Sequence, residues 1–274
     1  MSSASRDATV PALAMTPIDH WIPHPRGRLF AREWPAADAA SSPLVLQHDS
    51  LGCVEIWRDL PERLAQATGR RVIAYDRLGF GRSDAREGPM PRDFIADEGR
   101  SFLPAVLDHL GIDRFVALGH SVGGGMSVHI AAQRPDACTA LVTIAAQAFV
   151  EDRTVAGLRA ARTSFAEPGA LERLARYHGD KAAWVLSAWL DTWLDPDFAD
   201  WSLDAVLPQV RCHALVLHGE LDEYGSPAHP RRIAQGIGER AEVHLLAGLG
   251  HVPQRERPDE IVQRVAQFLA RVDS

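Results

Sequence analysis

Strand-like apolar runs alternate with helix-permissive stretches along most of this chain. Leu44-Val45-Leu46-Gln47-His48, Arg71-Val72-Ile73-Ala74-Tyr75, Phe115 to Leu118, Ala140 to Ile144, His213 to Gly219 and Ala241 to Leu246 have the length and apolar character of strands. Helices are expected over about 54–68, 93–110, 122–132, 230–236 and 258–272. Repeated strand–helix units specify a mostly parallel sheet with helices on both faces, an α/β fold. Ahead of them, Ile18 to Pro23 and Arg28 to Trp34 flank a Pro25-Arg26-Gly27 turn and read as an antiparallel hairpin that opens the sheet.

The rhythm breaks between Gln147 and Leu207. No strand is evident there, and Phe165, Tyr177, Trp184, Trp189, Trp193, Phe198 and Trp201 gather. Leu171 to Tyr177 and Ala182 to Leu190 have helical spacing, so 147–207 is expected to be a helical insertion that roofs the carboxyl ends of the strands. Packing within that insertion accounts for most of the aromatics. Trp184 and Trp189, with Tyr224 from a later loop, are the candidates for lining a substrate cavity.

One strand ends in Gly119-His120-Ser121-Val122-Gly123 and leads into a small-residue helix. A strand, a tight turn and a helix in that order force the central residue into a strained backbone, and Gly119 and Gly123 leave room for strand and helix to approach. Ser121 would then present its hydroxyl at the carboxyl end of the sheet. The backbone N–H of Val122, at the helix N-terminus, would face any negative charge that develops there.

The bulk properties fit this picture and remove others. A chain of 274 residues, 46% hydrophobic and 24% charged, can bury the core of one large domain, expected over 17–274. A net charge of −7 offers no basic surface to nucleic acid or anionic membrane. No apolar run approaches the roughly 20 residues of a membrane span. Residues 1–16 are small, polar and unpatterned, so they are expected to be flexible and to carry no signal peptide. Cys53, Cys138 and Cys212 are odd in number and far apart in sequence, which suits reduced thiols and a cytoplasmic location.

A serine nucleophile needs a base, and the base needs an acid that fixes its tautomer. Ser121, Asp222 and His251 each follow an expected strand, so they can converge at one edge of the sheet. With the Asp76-Arg77-Leu78-Gly79-Phe80-Gly81-Arg82-Ser83 turn, His218-Gly219-Glu220-Leu221-Asp222, and Gly250-His251 followed by Glu256 and Pro258, the chain from about Ile18 onward resembles the α/β-hydrolase superfamily. The resemblance implies the α/β-hydrolase fold, with 147–207 as its lid. It also implies a catalytic triad of Ser121, Asp222 and His251. Some members carry the acid after the strand that follows the elbow, but this chain has no carboxylate near Ala146-Gln147. Glu220 and Glu223 read better as surface-loop carboxylates.

The resemblance places the oxyanion donors at the backbone N–H groups of Ser50 and Val122. Here the chain departs from the usual His-Gly and has His48-Asp49-Ser50, with a charge that would oppose an oxyanion unless it points away. The Ser50 hydroxyl could add a donor or cap the turn. His48, His120 and His218 have no metal-ligand spacing, Cys53 reads as a packed small residue, and the glycine runs lack nucleotide-binding spacing. No metal or cofactor is therefore expected. The partner expected is a small-molecule substrate.

These residues point to hydrolysis of a small or medium, largely apolar carboxylic ester, lactone or thioester through an acyl-enzyme. Similar folds also hydrolyse a C–C bond in vinylogous diketones with the same triad. A ligand receptor on this fold that does not turn over is the rival from another class. A carboxylate-nucleophile reaction such as haloalkane or epoxide opening is disfavoured by serine at 121.

Overall fold

A computed structural model of the chain describes residues 16–36 and 41–274. The flexible start expected over 1–16 lies, as far as residue 15, outside the described residues, as does part of the loop expected over 36–43.

Among the described residues, eight strands form one sheet. They are β1 (Ile18–Ile22), β2 (Leu29–Trp34), β3 (Leu44–Gln47), β4 (Val72–Tyr75), β5 (Phe115–His120), β6 (Cys138–Ile144), β7 (His213–Gly219) and β8 (Ala241–Leu246), in the spatial order β1-β2-β4-β3-β5-β6-β7-β8. The opening hairpin is antiparallel, β2 pairs antiparallel with β4, and every later pairing is parallel. The helices are α1 (Leu60–Thr68), α2 (Phe94–Asp97), α3 (Leu103–Leu110), α4 (Val122–Gln133), α5 (Asp152–Phe165), α6 (Ala170–His178), α7 (Ala182–Trp193), α8 (Ala228–Ile237), α9 (Pro253–Glu256) and α10 (Pro258–Val272).

Alternation along the central strands feeds two cores. Val45, Ile73, Ala117, Leu141 and Val216 meet α3, α4 and α8 on one face, through residues such as Val106, Ile130 and Ile233. Leu44, Leu46, Val116, Leu118, Val142 and Leu215 meet α1 and α10 on the other, through Leu64, Ile261 and Phe268. Burial on both faces explains why these strands read as continuous apolar runs.

Two expected helices are interrupted, each next to a proline. The one expected over 54–68 is a 3₁₀ turn at Val54–Trp57 followed by α1, which Pro61 opens in the first-turn position where its missing N–H costs nothing. The one expected over 93–110 contains a π-helical turn, Glu98–Phe102, in which the Leu103 N–H reaches back to the Glu98 carbonyl. Pro104 cannot donate to the carbonyl four residues back, and the wider turn absorbs the break.

Between β6 and β7 the chain forms α5, α6 and α7. Of these, α5 carries no helical signal in the sequence reading. Trp193, Phe198 and Trp201 pack on one another with ring centroids 5.3 to 5.7 Å apart. With Leu158 and Leu190, the Trp193 and Phe198 side chains close over Val122 and Met126 of α4. This segment therefore rests on the helix that follows the elbow. No helix among the described residues is long and apolar enough to cross a membrane.

The elbow itself is close-packed. Ser121 has φ 56° and ψ −126°, a strained conformation for a residue with a Cβ. A Cβ at 119 would strike the Gly123 carbonyl, and one at 123 would strike the Gln47 carbonyl. Backbone cannot yield as a flexible side chain can. Gly123→Ala is therefore expected to cost at least about 3 kcal/mol, the upper part of the usual overpacking range. Urea unfolding would check this, whereas Gly111→Ala, where nothing lies within 4 Å of the added methyl, should report only the cost of its positive φ.

Candidate active site

The strained turn raises Ser121 at the end of β5, where two later loops meet it. His251 Nε2 lies 3.0 Å from Ser121 Oγ, and His251 Nδ1 donates to Asp222 Oδ2 at 2.8 Å. Asp222 is fully buried, and its other oxygen accepts the N–H groups of Tyr224 (2.8 Å) and Gly225 (3.0 Å). A buried carboxylate needs such donors, and here each oxygen has one or more. The structure thus brings together all three residues expected from the sequence.

The electrostatics suit a base. Burial pushes the Asp222 carboxyl up, but the hydrogen bond and charge of His251, with His218 and the Tyr224 N–H, hold it below the ordinary range. Burial also works against a His251 imidazolium. The bond to Asp222 and the charges of Asp222, Glu223 and Asp49 outweigh it, so the pKa of His251 lies above its ordinary 6.5.

Two carboxylates read from sequence as surface groups or matching features brace the His251 loop. Glu223 is exposed on its loop, as its surface reading requires, and also accepts the His251 N–H at 3.2 Å. Glu256 accepts the Gly250 N–H at 3.1 Å. Glu220 is exposed, as its surface reading requires. Gln147, just after β6, carries an amide oxygen 3.3 Å from Ser121 Oγ. Only its position after β6 could have marked it.

The loop expected to carry an oxyanion donor follows β3. Three donors converge on the Asp49 carbonyl oxygen: His48 Nδ1 (2.8 Å), Arg77 Nη2 (2.8 Å) and the Gly52 N–H (3.2 Å). In a trans peptide the C=O and the following N–H point in opposite directions. Pinning the Asp49 carbonyl therefore aims the Ser50 N–H away from Arg77. Ser50 and Ser121 line the same cavity, and Val122 opens α4 with its N–H at the unsatisfied end. Arg77 is itself buried and stacks over the Phe80 ring. Its turn is locked by Asp76, which accepts the Val54 and Arg82 N–H groups. The Asp49 carboxylate turns toward His120 Nδ1, 3.2 Å away, and accepts the Leu51 N–H at 2.9 Å.

The cavity over Ser121 holds about 140 Å³, with Leu51, Leu158, Trp189, Trp193, Tyr224 and Val252 as its apolar walls. Trp189 and Tyr224 thus line it as expected, but Trp184 does not. Its indole packs on Phe80 and donates to the Gly88 carbonyl at 2.8 Å. The reason is helical phase: Trp189 and Trp193 are one turn apart on one face of α7, whereas Trp184 is five residues back and faces elsewhere. That i, i+4 spacing was the signal for Trp193. A second chamber of about 300 Å³ shares Asp49 and Leu51 with the first and is rimmed by Phe165, Leu174, Tyr177, Arg173 and Arg255.

The other candidate groups are occupied. His48 accepts the Arg77 N–H, His120 donates to the His251 carbonyl, and His218 donates to the Gly225 carbonyl. Among the described residues no three His, Cys, Asp or Glu side chains are grouped to hold a metal ion. Burial, with the nearby Asp76 charge, pushes the Cys53 thiol up to about 12, far from a thiolate nucleophile.

Residues 42–202 match the family described by the α/β-hydrolase fold. The chain is 31% identical to the dihydrolipoyllysine-residue acetyltransferase component of the acetoin cleaving system of Pseudomonas putida, over 89% of this chain and 67% of that one. It is 30% identical to 2-hydroxymuconate semialdehyde hydrolase of Pseudomonas sp. (strain CF600), over 86% of this chain and 89% of the relative. Among solved structures, the enol-lactonase from Burkholderia xenovorans LB400 superposes with a TM-score of 0.71 at 22% identity, over 92% of this chain and 100% of that one, a likeness of fold.

His251 can take a proton from Ser121 only when neutral, and its raised pKa means that neutrality is lost as pH falls through a value above 6.5. Phosphonylation of Ser121 by a fluorophosphonate, followed by intact mass, is therefore expected to rise with pH through one ionisation above 6.5. Asp222→Asn removes the charge that raises His251 and should move that midpoint to lower pH.

Proposed function

This chain belongs to the α/β-hydrolase family, and from that premise we propose that it is a serine hydrolase of a small or medium, largely apolar carboxylic ester, lactone or thioester. The observation that carries the reading is the continuous hydrogen-bonded path from Ser121 Oγ through His251 to Asp222, opening into a mostly apolar cavity. In this reading Ser121 Oγ attacks the carbonyl carbon as its proton passes to His251 Nε2. Asp222 stabilises the imidazolium, and the N–H groups of Ser50 and Val122 receive the oxyanion. Collapse breaks the bond to the alcohol or thiol, which leaves with the proton from Nε2. Water then attacks the acyl-enzyme with His251 again as base, and the acid departs. The sequence of bonds made and broken calls for no metal or cofactor.

The two chambers support a division of the substrate. The smaller one, walled by Trp189, Trp193 and Tyr224, suits a compact apolar acyl part. The larger one, beyond Leu51, suits the remainder. Helices α5 to α7 act in this reading as the lid that excludes water during reaction.

A second reading, hydrolysis of a C–C bond in a vinylogous diketone, is favoured by the relative named for 2-hydroxymuconate semialdehyde. Arg173 and Arg255 at the outer chamber could then meet a carboxylate at the far end of such a substrate.

The test compares turnover of a neutral aryl ester with that of a ring-cleavage diketone. The leading reading expects the ester to be the better substrate by kcat/KM, and the reverse order would select the second. Under both, Ser121→Ala is expected to lose at least about 10³-fold in kcat, the scale on which removing a triad nucleophile acts. A Ser121→Ala variant that retained turnover would overturn both.

A further inference from the structure

Asp49 is gripped from two sides. Its carbonyl oxygen is held by His48, Arg77 and the Gly52 N–H, which aims the Ser50 N–H. Its carboxylate accepts the Leu51 N–H at 2.9 Å through Oδ1 and faces His120 Nδ1 at 3.2 Å through Oδ2. The far edge of the same imidazole, Nε2, donates to the backbone carbonyl of His251 at 2.8 Å. One buried ring thus spans the gap between the loop that carries the Ser50 N–H and the loop that carries the His251 base.

The chemistry of the span is specific. Both ring nitrogens of His120 face oxygen acceptors, and both acceptors are satisfied only when each nitrogen carries hydrogen. The Asp49 carboxylate is turned toward His120 Nδ1 and the Leu51 N–H. A glycine at 49 could form the turn but could not reach His120.

We propose that Asp49 is a positioning residue that, through His120, ties the oxyanion loop to the His251 loop and keeps the Ser50 N–H and the His251 imidazole in register with Ser121. The inference rests on the serine-hydrolase reading. Catalysis by aimed donors and a poised base is sensitive to small displacements, so the tie acts on the chemical step and little on substrate binding. The rival role is local: the carboxylate merely caps its own turn through the Leu51 N–H.

Two substitutions separate these roles. D49S leaves a hydroxyl oxygen for the Leu51 N–H but is too short to reach His120. D49N keeps the turn bond through its amide oxygen and offers an amide N–H to the neutral His120 ring, whose Nε2–H still reaches His251. The measurements are the rate of Ser121 phosphonylation by a fluorophosphonate, and kcat and KM for a neutral aryl ester. D49S is expected to lose about tenfold or more in kcat and in phosphonylation rate, with KM changed by less than about threefold, while D49N stays within about threefold of wild type. H120L, which cuts the tie from its other end, should behave as D49S does and serves if D49S does not fold. Wild-type rates in the variant that breaks the tie, or a D49N as impaired as D49S, would overturn the proposal. Failure of the wild type itself to be phosphonylated would instead overturn the serine-hydrolase reading and the inference with it.

Discussion

The approach of β5, α4 and the loop after β3 to within backbone contact is the constraint on which the rest depends. Gly119 meets the Gly123 carbonyl and Gly123 meets the Gln47 carbonyl, so two positions without side chains let three backbones share one small volume. That closeness imposes the strained conformation of Ser121, worth about 1–3 kcal/mol against the fold. It also leaves Ser50 lining the same cavity as Ser121, with Val122 at the start of α4. Two apolar cores anchor the strands that supply the turn, which is how the strain is sustained.

Charge is handled by pairing rather than by exposure. Asp222, His120 and His251 are buried, and each polar end has a partner: backbone N–H groups for Asp222, a carboxylate and a carbonyl for His120, Asp222 and Ser121 for His251. Unpaired, any of these groups would cost several kcal/mol to bury. The supports come from distant parts of the chain. Glu223 and Glu256 hold the His251 loop, and Arg77, from the turn after β4, holds the peptide that carries the Ser50 N–H. The site is therefore rigid in its polar framework while its walls are apolar.

Those walls come from the segment between β6 and β7. Trp193 faces both ways: it packs on Phe198 and Trp201 inside the segment and lines the cavity with Trp189. A large aromatic side chain can serve both purposes because it presents more than one surface. Packing and cavity lining are thus shared by one residue, so the aromatics of 147–207 do not fall into two separate classes.

Local and repetitive features were determined by the sequence alone. Strand positions follow from apolar runs buried on both faces, the elbow follows from two glycines around Ser121, and the order Ser121, Asp222, His251 follows from strand ends; each is a matter of neighbours along the chain. Features that depend on which surfaces meet were left to the tertiary structure. Helical phase within α7 turned Trp184 outward and Trp193 inward, and Pro104 produced a π-helical turn in place of a regular helix. Asp49 shows the difference most clearly. From its type and position it is a charge beside the expected oxyanion donors. Its surroundings depend on His120, 71 residues away in the chain, whose ring faces the Asp49 carboxylate through Nδ1 and the His251 carbonyl through Nε2. Hydrogen bonds between residues so far apart in sequence exist only after the sheet has brought β3 and β5 together, and no pattern of spacing encodes them.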